Sequence, residues 1–302
     1  MNYIGCLFVL SSLASLSGKL FQKLCSDNVV GNSKSAYVLF LAVNGLFACG
    51  FFWLFGGLRI HLNLPTLIYS LVYAAVVTMI LIANLLVYQY ATITAASIIP
   101  TGFSLLGSML IGYAFFGEEI GWRTVVRIAI MIVASVLIFF DRKPLNPEQD
   151  KLEPQKKLFP MIAVFAAVIL FGYANTIVTK SFAISPNVTD ANSFFFMTNA
   201  FMVLGALAVL AVGFVKEDKS VQSALMLLKP KKLISLAGNT LCSNVGSLIS
   251  LRIVALMDVS IATPISSAVG IFLAIVSSWI FRERLGLYSY LAAAVSVVAV
   301  IL

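Results

Sequence analysis

YATITAASIIPTGFSLLGSMLIGYAFFGEE, the stretch from Tyr90 to Glu119, is apolar and long enough to cross a bilayer. Pro100 removes one hydrogen bond of the helix and bends it, which a membrane tolerates only where surrounding protein or water repairs the loss. After the proline a small residue returns at every fourth position, and these residues are Ser104, Ser108 and Gly112. Small residues at this spacing form a flat ridge, which predicts close packing of a neighbouring helix within lipid.

A similar stretch, VALMDVSIATPISSAVGIFLAIVSSWIFRE, runs from Val254 to Glu283. A shift of 164 residues places Pro100 on Pro264 and Glu119 on Glu283. The second stretch has its own ridge of small residues, namely Ser266, Gly270, Ala274 and Ser278. Two bent and closely packed helices in corresponding places of two halves indicate a transport pathway. We predict that Pro100 and Pro264 are its gating positions.

The composition is that of a membrane protein: 61% of the 302 residues are hydrophobic, 11% are charged, and the mean hydropathy is +1.02. The net charge is +8, but the basic residues lie in connections, so we interpret them as orientation signals and expect no nucleic-acid binding. The four cysteines show no paired spacing, which predicts buried thiols and neither disulfides nor metal ligands. We expect no cofactor and no removable signal peptide.

Hydropathy predicts ten spans, so the fold class is an all-α polytopic membrane protein. The spans are 3–24, 36–55, 66–89, 95–116, 122–140, 158–180, 193–215, 233–256, 260–281 and 286–302. A charged linker, 141–157, separates two five-helix repeats, which we call the N-terminal half (1–140) and the C-terminal half (158–302). Because five is odd, two halves of similar sequence enter the membrane with opposite polarity. This predicts inverted-topology repeats.

Two pairs of segments carry a family resemblance: VYQYATITAASIIP with FFGEEIGW, and LRIVALMDVSIATP with IFRERLGL. A span that ends in Tyr-x-Ala, then a proline-bearing span, then a short Gly-Glu turn before a small-residue helix resembles the drug/metabolite transporter superfamily, in its ten-helix EamA branch. The resemblance covers essentially the whole chain. It implies a central cavity, lined by the first, third and fourth helices of each half, that opens alternately to either side of the membrane.

The acidic residues all lie in connections or at helix ends. The chain therefore lacks a carboxylate deep in the membrane, the usual carrier of a proton or cation. In this it departs from the small multidrug resistance branch of the same superfamily. The single histidine, His61, lies in a loop near Arg59, which argues against histidine-dependent hydrolases and metalloproteases. We expect no enzymatic activity.

Neutral polar side chains within the spans are the candidates for substrate binding, because buried amides in lipid need a partner helix, cavity water or a ligand. The alternative is interhelical hydrogen bonding, which we expect for Asn44 and Asn199. Lys19 either meets an anionic group of the substrate or extends to the lipid headgroups, and for Lys180 we expect the second. The predicted substrate-binding residues are Ser15, Lys19, Asn84, Tyr88, Ser104, Tyr173, Asn175, Asn239, Ser243, Asn244 and Ser266.

Two carboxylates, Glu119 and Glu283, occupy matching turns between helices. Each either latches its turn when the halves move or simply lies at the positive N-terminus of the next helix, where a carboxylate is favoured. We prefer the second interpretation.

The leading hypothesis is a secondary transporter, with export as the expected direction, of small amphiphilic metabolites such as amino acids. It would work by alternating access between the two inverted repeats. A neutral lining of polar and aromatic groups suits such a substrate better than a bulky cation. A nucleoside or sugar-type solute is the alternative substrate, and a channel or an intramembrane enzyme is the alternative class. The expected partners are the substrate and the lipid bilayer of the plasma or inner membrane, and a homodimer stays open.

Most lysines and arginines of the connections lie in the odd-numbered ones. The positive-inside rule therefore predicts that these connections are cytoplasmic and that both termini are external. The family resemblance implies cytoplasmic termini instead. We prefer the orientation that the charges predict, and either orientation is compatible with an inverted-repeat transporter.

Overall fold

The computed structural model describes residues 6–11, 13–14, 17–18, 20–21, 34–90, 93–119, 121–140, 154–215, 230–263, 266 and 286–301. Within these ranges the regular structure is helical and contains no strand. The helices are α1 (helical residues of 6–21), α2 (Lys34–Phe55), α3 (Leu64–Tyr90), α4 (Ile93–Phe116), α5 (Trp122–Phe140), α6 (Pro154–Ile184), α7 (Ala191–Val215), α8 (Pro230–Leu256), α9 (259–263) and α10 (Leu287–Ile301).

Five helical segments are long and apolar enough to cross a membrane: Tyr37–Phe55, Leu64–Asn84, Pro160–Ile184, Ala191–Val212 and Leu233–Leu256. A helix satisfies its backbone hydrogen bonds internally, which is why apolar runs of this length become helices in lipid. Two shorter apolar segments lie in α4 and α5, Gly107–Phe116 and Val125–Ala134. These segments mark the chain as a helical membrane protein.

The predicted boundaries of the second to eighth spans and of the last agree with α2 to α8 and α10 to within a few residues. The main difference concerns α6, which begins at Pro154, inside the predicted linker. Proline suits the first turn of a helix because its missing N–H has no acceptor there. Of the predicted ninth span, 260–281, the described residues 260–263 and 266 are helical.

Helix α2 packs along α7, and the two run antiparallel. Their contacts pair increasing numbers on α2 with decreasing numbers on α7: Gly45 with Val203, Cys49 with Phe196, Phe52 with Phe195, and Gly56 with Asn192. Gly45 permits the closest approach, since a Cβ there would lie 2.6 Å from a methyl carbon of Val203. The second helix of the N-terminal half thus lies against the second helix of the C-terminal half in the opposite direction.

Helix α1 packs antiparallel on α8, as the contacts of Ser11 with Ser250, Ala14 with Gly246, Gly18 with Ser243, and Phe21 with Gly238 indicate. Helix α3 packs on α6, and α5 packs on α10. Buried apolar clusters fill these interfaces. One of them joins α3, α5, α6 and α10 and contains Ala83, Ala134, Phe165 and Ala292.

Four connections meet at one end of the molecule, which we call the tight-turn end: 56–63, 117–119, 185–190 and 257–258. Two turns there reverse the chain through a left-handed backbone, at Gly57 (φ +66°) and at Gly117 (φ +64°). Stacked aromatic rings fill the interior beside these connections. The ring centroids of Phe182 and Phe194 are 4.0 Å apart, and those of Phe52 and Phe195 are 5.1 Å apart.

Candidate functional site

The predicted substrate-binding residues fall into three groups in the structure. Ser15 and Lys19, together with the predicted gating residue Pro264, lie outside the described residues. Tyr88 lies in α3 and Ser104 in α4. The remaining ones have described side chains: Asn84, Tyr173, Asn175 and Asn244 are half-buried, Ser243 and Ser266 are exposed, and Asn239 is buried.

Tyr173 of α6 leans against α4 at Phe103 and Gly107, one and two turns after Pro100. Its hydroxyl donates a hydrogen bond of 2.5 Å to the carbonyl oxygen of Phe103. The ring covers Gly107, and a Cβ at that position would overlap the ring. Pro100 is half-buried inside the same helix. Tyr173 therefore braces the proline-bearing helix. Its role in substrate binding and the gating role of Pro100 stay predictions.

Asn239 of α8 lies in the interface with α2 and is 2% exposed. The Oδ1 atom of Asn44 accepts a hydrogen bond of 2.7 Å from the hydroxyl of Thr240, and the Nδ2 atom of Asn239 lies 3.5 Å from it. Asn44 has the interhelical role expected from the sequence. Asn199 of α7 is also buried, but its amide donates to the carbonyl of Phe195 in its own helix.

Asn244, one turn further along α8, has a buried Nδ2 atom without a hydrogen-bond acceptor among the described residues. A buried amide without a partner is costly in an apolar environment. Such a group is what a polar ligand or a water molecule in an interior site would satisfy. Of the predicted residues with described side chains, Asn244 is the one whose polar atom is left in need of a partner.

Lys180 does not extend to the headgroups, so that expectation is wrong. The residue is 8% exposed, and its Nζ atom donates hydrogen bonds of 3.0 Å and 2.9 Å to the carbonyl oxygens of Val254 and Met257. These carbonyls lie at the C-terminal end of α8, where the last turn of a helix leaves its acceptors free. The ammonium group therefore neutralises the negative end of the α8 dipole.

The carboxylate that matters in the turn after α4 is Glu118, since Glu119 is exposed. Glu118 is 8% exposed, and its two oxygens accept hydrogen bonds of 2.9 Å each from the backbone N–H groups of Val259 and Ser260. The expected position at a helix N-terminus is thus occupied by Glu118, and the helix is α9 of the C-terminal half rather than the next helix, α5. Glu283 lies outside the described residues.

Gly112 has a different role from the predicted one. The space over its Cα is filled by the carboxylate of Glu118, because a Cβ at Gly112 would lie 2.4 Å from a carboxylate oxygen. The small residue therefore makes room for a charged side chain of the following turn and not for a neighbouring helix. A signal in the sequence was present: Glu118 directly follows a glycine at the end of an apolar helix.

A row of neutral hydrogen bonds joins connection 56–63 and the start of α3 to connection 185–190 and the start of α7. We call these hydrogen bonds the seam. The side-chain amide of Asn63 donates to the carbonyl of Asn187 (2.7 Å), and the N–H of Thr189 donates to Thr66 Oγ1 (2.9 Å). The N–H of His61 donates to Ser193 Oγ (2.9 Å), and Ser70 Oγ donates to the carbonyl of Phe194 (3.1 Å). Thr66, Ser70 and Ser193 are fully buried. The seam connects the two halves at the tight-turn end.

No family model matches this sequence, and no curated protein matches it either. Solved structures do match, in 27 chains. One of them, described only as "Crystal structure of protein", aligns over 96% of this chain and 94% of its own, with a TM-score of 0.58 and 13% sequence identity. At this identity the likeness concerns the fold alone, which the two proteins share over nearly their full length.

Proposed function

We propose that this protein is a multi-pass secondary transporter of the drug/metabolite superfamily, in its ten-helix EamA branch. It exports small amphiphilic metabolites such as amino acids by alternating access between two inverted five-helix repeats. The proposal rests on the packing pattern of the helices together with the neutral polar groups in the interior.

The packing pattern is the observation that carries the proposal. Several of the helix pairs in contact recur when each helix is replaced by the one five places later in the chain. The pair α3–α6 corresponds to α8–α1, the pair α3–α7 corresponds to α8–α2, and α2–α7 and α5–α10 each map onto themselves. The antiparallel course of α2 and α7 is the relation that inverted repeats require of corresponding helices. This regularity supports two inverted repeats, each built from five helices.

The substrate class follows from the polar groups available inside. Asn84 on α3, Asn175 on α6 and Asn244 on α8 are amides at partly buried positions, on helices to which the family resemblance assigns the cavity. Amides offer both donors and acceptors and carry no charge. Such groups suit a zwitterionic or neutral amphiphile, whereas a bulky cation would favour a buried carboxylate.

Flux into proteoliposomes tests the proposal. The purified protein is reconstituted and offered a panel of labelled amino acids, nucleosides, sugars and quaternary amines, each with and without unlabelled competitor. We expect saturable and competable flux of amino acids. Saturable flux of nucleosides or sugars instead would identify the alternative substrate class, and unsaturable leakage of many solutes would indicate a channel and contradict the proposal.

A variant of the interior amide sharpens this test. Asn244→Ala should lower the flux about tenfold or more, since a lost hydrogen bond to a buried ligand group changes binding by about 1–3 kcal/mol. Leu241→Ala on the same helix is the matched control, because Leu241 is 50% exposed. Equal flux in both variants would remove Asn244 from the site.

A further inference from the structure

The helical structure is interrupted between α8 and α9, at the tight-turn end. We call this interruption the break. Helix α8 ends at Leu256, and α9 begins at residue 259. The carbonyl of Asp258 accepts hydrogen bonds from the N–H groups of Ile261 and Ala262, at 3.1 Å and 2.9 Å. The N–H groups of Val259 and Ser260 precede these in the first turn of α9, where a helix offers no acceptor of its own. In a membrane each such unsatisfied group costs several kcal/mol.

The two ends at this break are satisfied from different halves of the molecule. Lys180, which binds the end of α8, belongs to α6 and therefore to the same half as α8. Glu118, which binds the start of α9, belongs to the N-terminal half. The end of α8 is thus held by its own half, whereas the start of α9 is held across the boundary between the halves.

The backbone geometry of the turn after α4 places Glu118 at the start of α9. Gly117 adopts a left-handed backbone, and the N–H of Glu118 then donates a hydrogen bond of 3.0 Å back to the carbonyl of Gly112. The missing side chain of Gly112 leaves the space that the carboxylate occupies. Three features of this segment therefore serve the contact between Glu118 and α9.

We propose that Glu118 is a latch that closes the tight-turn end by tying the start of α9 to the N-terminal half. When Glu118 releases Val259 and Ser260, α9 pivots at the break while Lys180 keeps α8 in place. The inference rests on the proposed transport function, for which this motion would expose the interior to the side that the tight-turn end faces.

Thiol labelling of the purified protein in nanodiscs tests the latch, because both faces of the membrane are accessible there. The four native cysteines are replaced by alanine, and one reporter cysteine is introduced at a time. Ala262→Cys reports on α9, since Ala262 is 3% exposed and lies just past the latch. Ala74→Cys reports on α3 near the seam, and Ala134→Cys reports on the interior cluster of α5 and α10.

With Glu118→Ala we expect the labelling rate at Ala262→Cys to rise about tenfold, a shift of about 1.4 kcal/mol in the closed-to-open equilibrium. The rates at the other two reporters should stay unchanged. Gly112→Ala should reproduce the effect, because its Cβ displaces the carboxylate without removing it. Glu118→Gln, which keeps one acceptor oxygen, should give a smaller rise, and Glu119→Ala is the matched control with no rise.

Parallel acceleration at all three reporters would overturn the latch, since it would mean that Glu118 only stabilises the fold. Unchanged labelling at Ala262→Cys in both Glu118→Ala and Gly112→Ala would overturn it as well. The labelling needs no substrate. A protein that shows the expected labelling but no flux with any compound of the panel would therefore refute the transport proposal and leave the latch standing.

Discussion

Two regions at the tight-turn end, the break between α8 and α9 and the seam, are held together by different kinds of interaction. The break uses two buried charges, Glu118 and Lys180, and each of them binds backbone groups at a helix end. The seam uses hydroxyls, amides and backbone groups, and the carboxylate of Asp190, which accepts from Ser193, is exposed. Charges appear where a helix ends inside the protein and leaves several backbone groups without partners, since a single charged group can satisfy two of them.

The difference also concerns what each region can do. A buried charge that loses its partner has a high free energy. The bound and released states of a charged contact therefore differ clearly in free energy. Neutral hydrogen bonds are weaker individually, and their loss is partly compensated by water or by other acceptors. We therefore expect the break to respond sharply to substitution and the seam to respond gradually.

The largest effect is expected for Lys180→Met, which keeps the length of the side chain and removes its charge and its donors. The carbonyls of Val254 and Met257 would then lose their partner. We expect a loss of about 2–4 kcal/mol in the free energy of unfolding and a fall of about 5–10 °C in the melting temperature in detergent. Arg252→Met on α8 is the control, since Arg252 is exposed. An equal effect of the two substitutions would mean that burial of the charge is irrelevant.

A smaller effect is expected in the seam for Thr66→Val. The substitution keeps the shape of a fully buried side chain and removes the hydroxyl that accepts from the backbone N–H of Thr189. We expect a loss of about 1–2 kcal/mol in the free energy of unfolding, roughly half the effect of Lys180→Met. Thr66→Ser retains the hydroxyl and should stay closer to the wild-type protein. If Thr66→Val destabilises more than Lys180→Met, the neutral seam is the stronger of the two regions.

The sequence predicted the apolar helices well, because length and hydropathy determine which segments become helical in lipid. It predicted the interhelical role of Asn44 but did not identify the partner, Thr240, because helix pairing depends on the register between distant segments. It failed for Lys180 because a lysine near the end of a span has two energetically similar destinations, the headgroups and a nearby helix end. Only the position of α8 decides between them.

Glu118 and Gly112 illustrate the same limit for the candidate site. Small residues at every fourth position predicted a ridge for helix packing. At Gly112, however, the space is filled by the side chain of Glu118, six residues later in the chain. Spacing along a helix shows where room is available but not which group fills it. The amides of Asn84, Asn175 and Asn244 remain candidates, because a sequence identifies polar groups within a span without showing which of them face a cavity.

The smallest effect is expected for the hydrogen bond between Asn44 and Thr240. The Thr240 hydroxyl has one proton but lies near two acceptors, 2.7 Å from Asn44 Oδ1 and 2.9 Å from the carbonyl of Leu236 in its own helix. When Asn44 is lost, the proton can turn to the carbonyl, so a double-mutant cycle of Asn44→Leu and Thr240→Val should give a coupling of about 0.6 kcal/mol in the free energy of unfolding. Thr198→Val is the matched control for the threonine, because the buried Thr198 hydroxyl donates to the carbonyl of Phe194 in its own helix. A cycle of Asn44→Leu with Thr198→Val should give no coupling. A coupling above about 1.7 kcal/mol for the Asn44–Thr240 pair would exceed the range known for neutral hydrogen bonds between membrane helices. The α2–α8 interface would then resemble the charged break in strength rather than the seam.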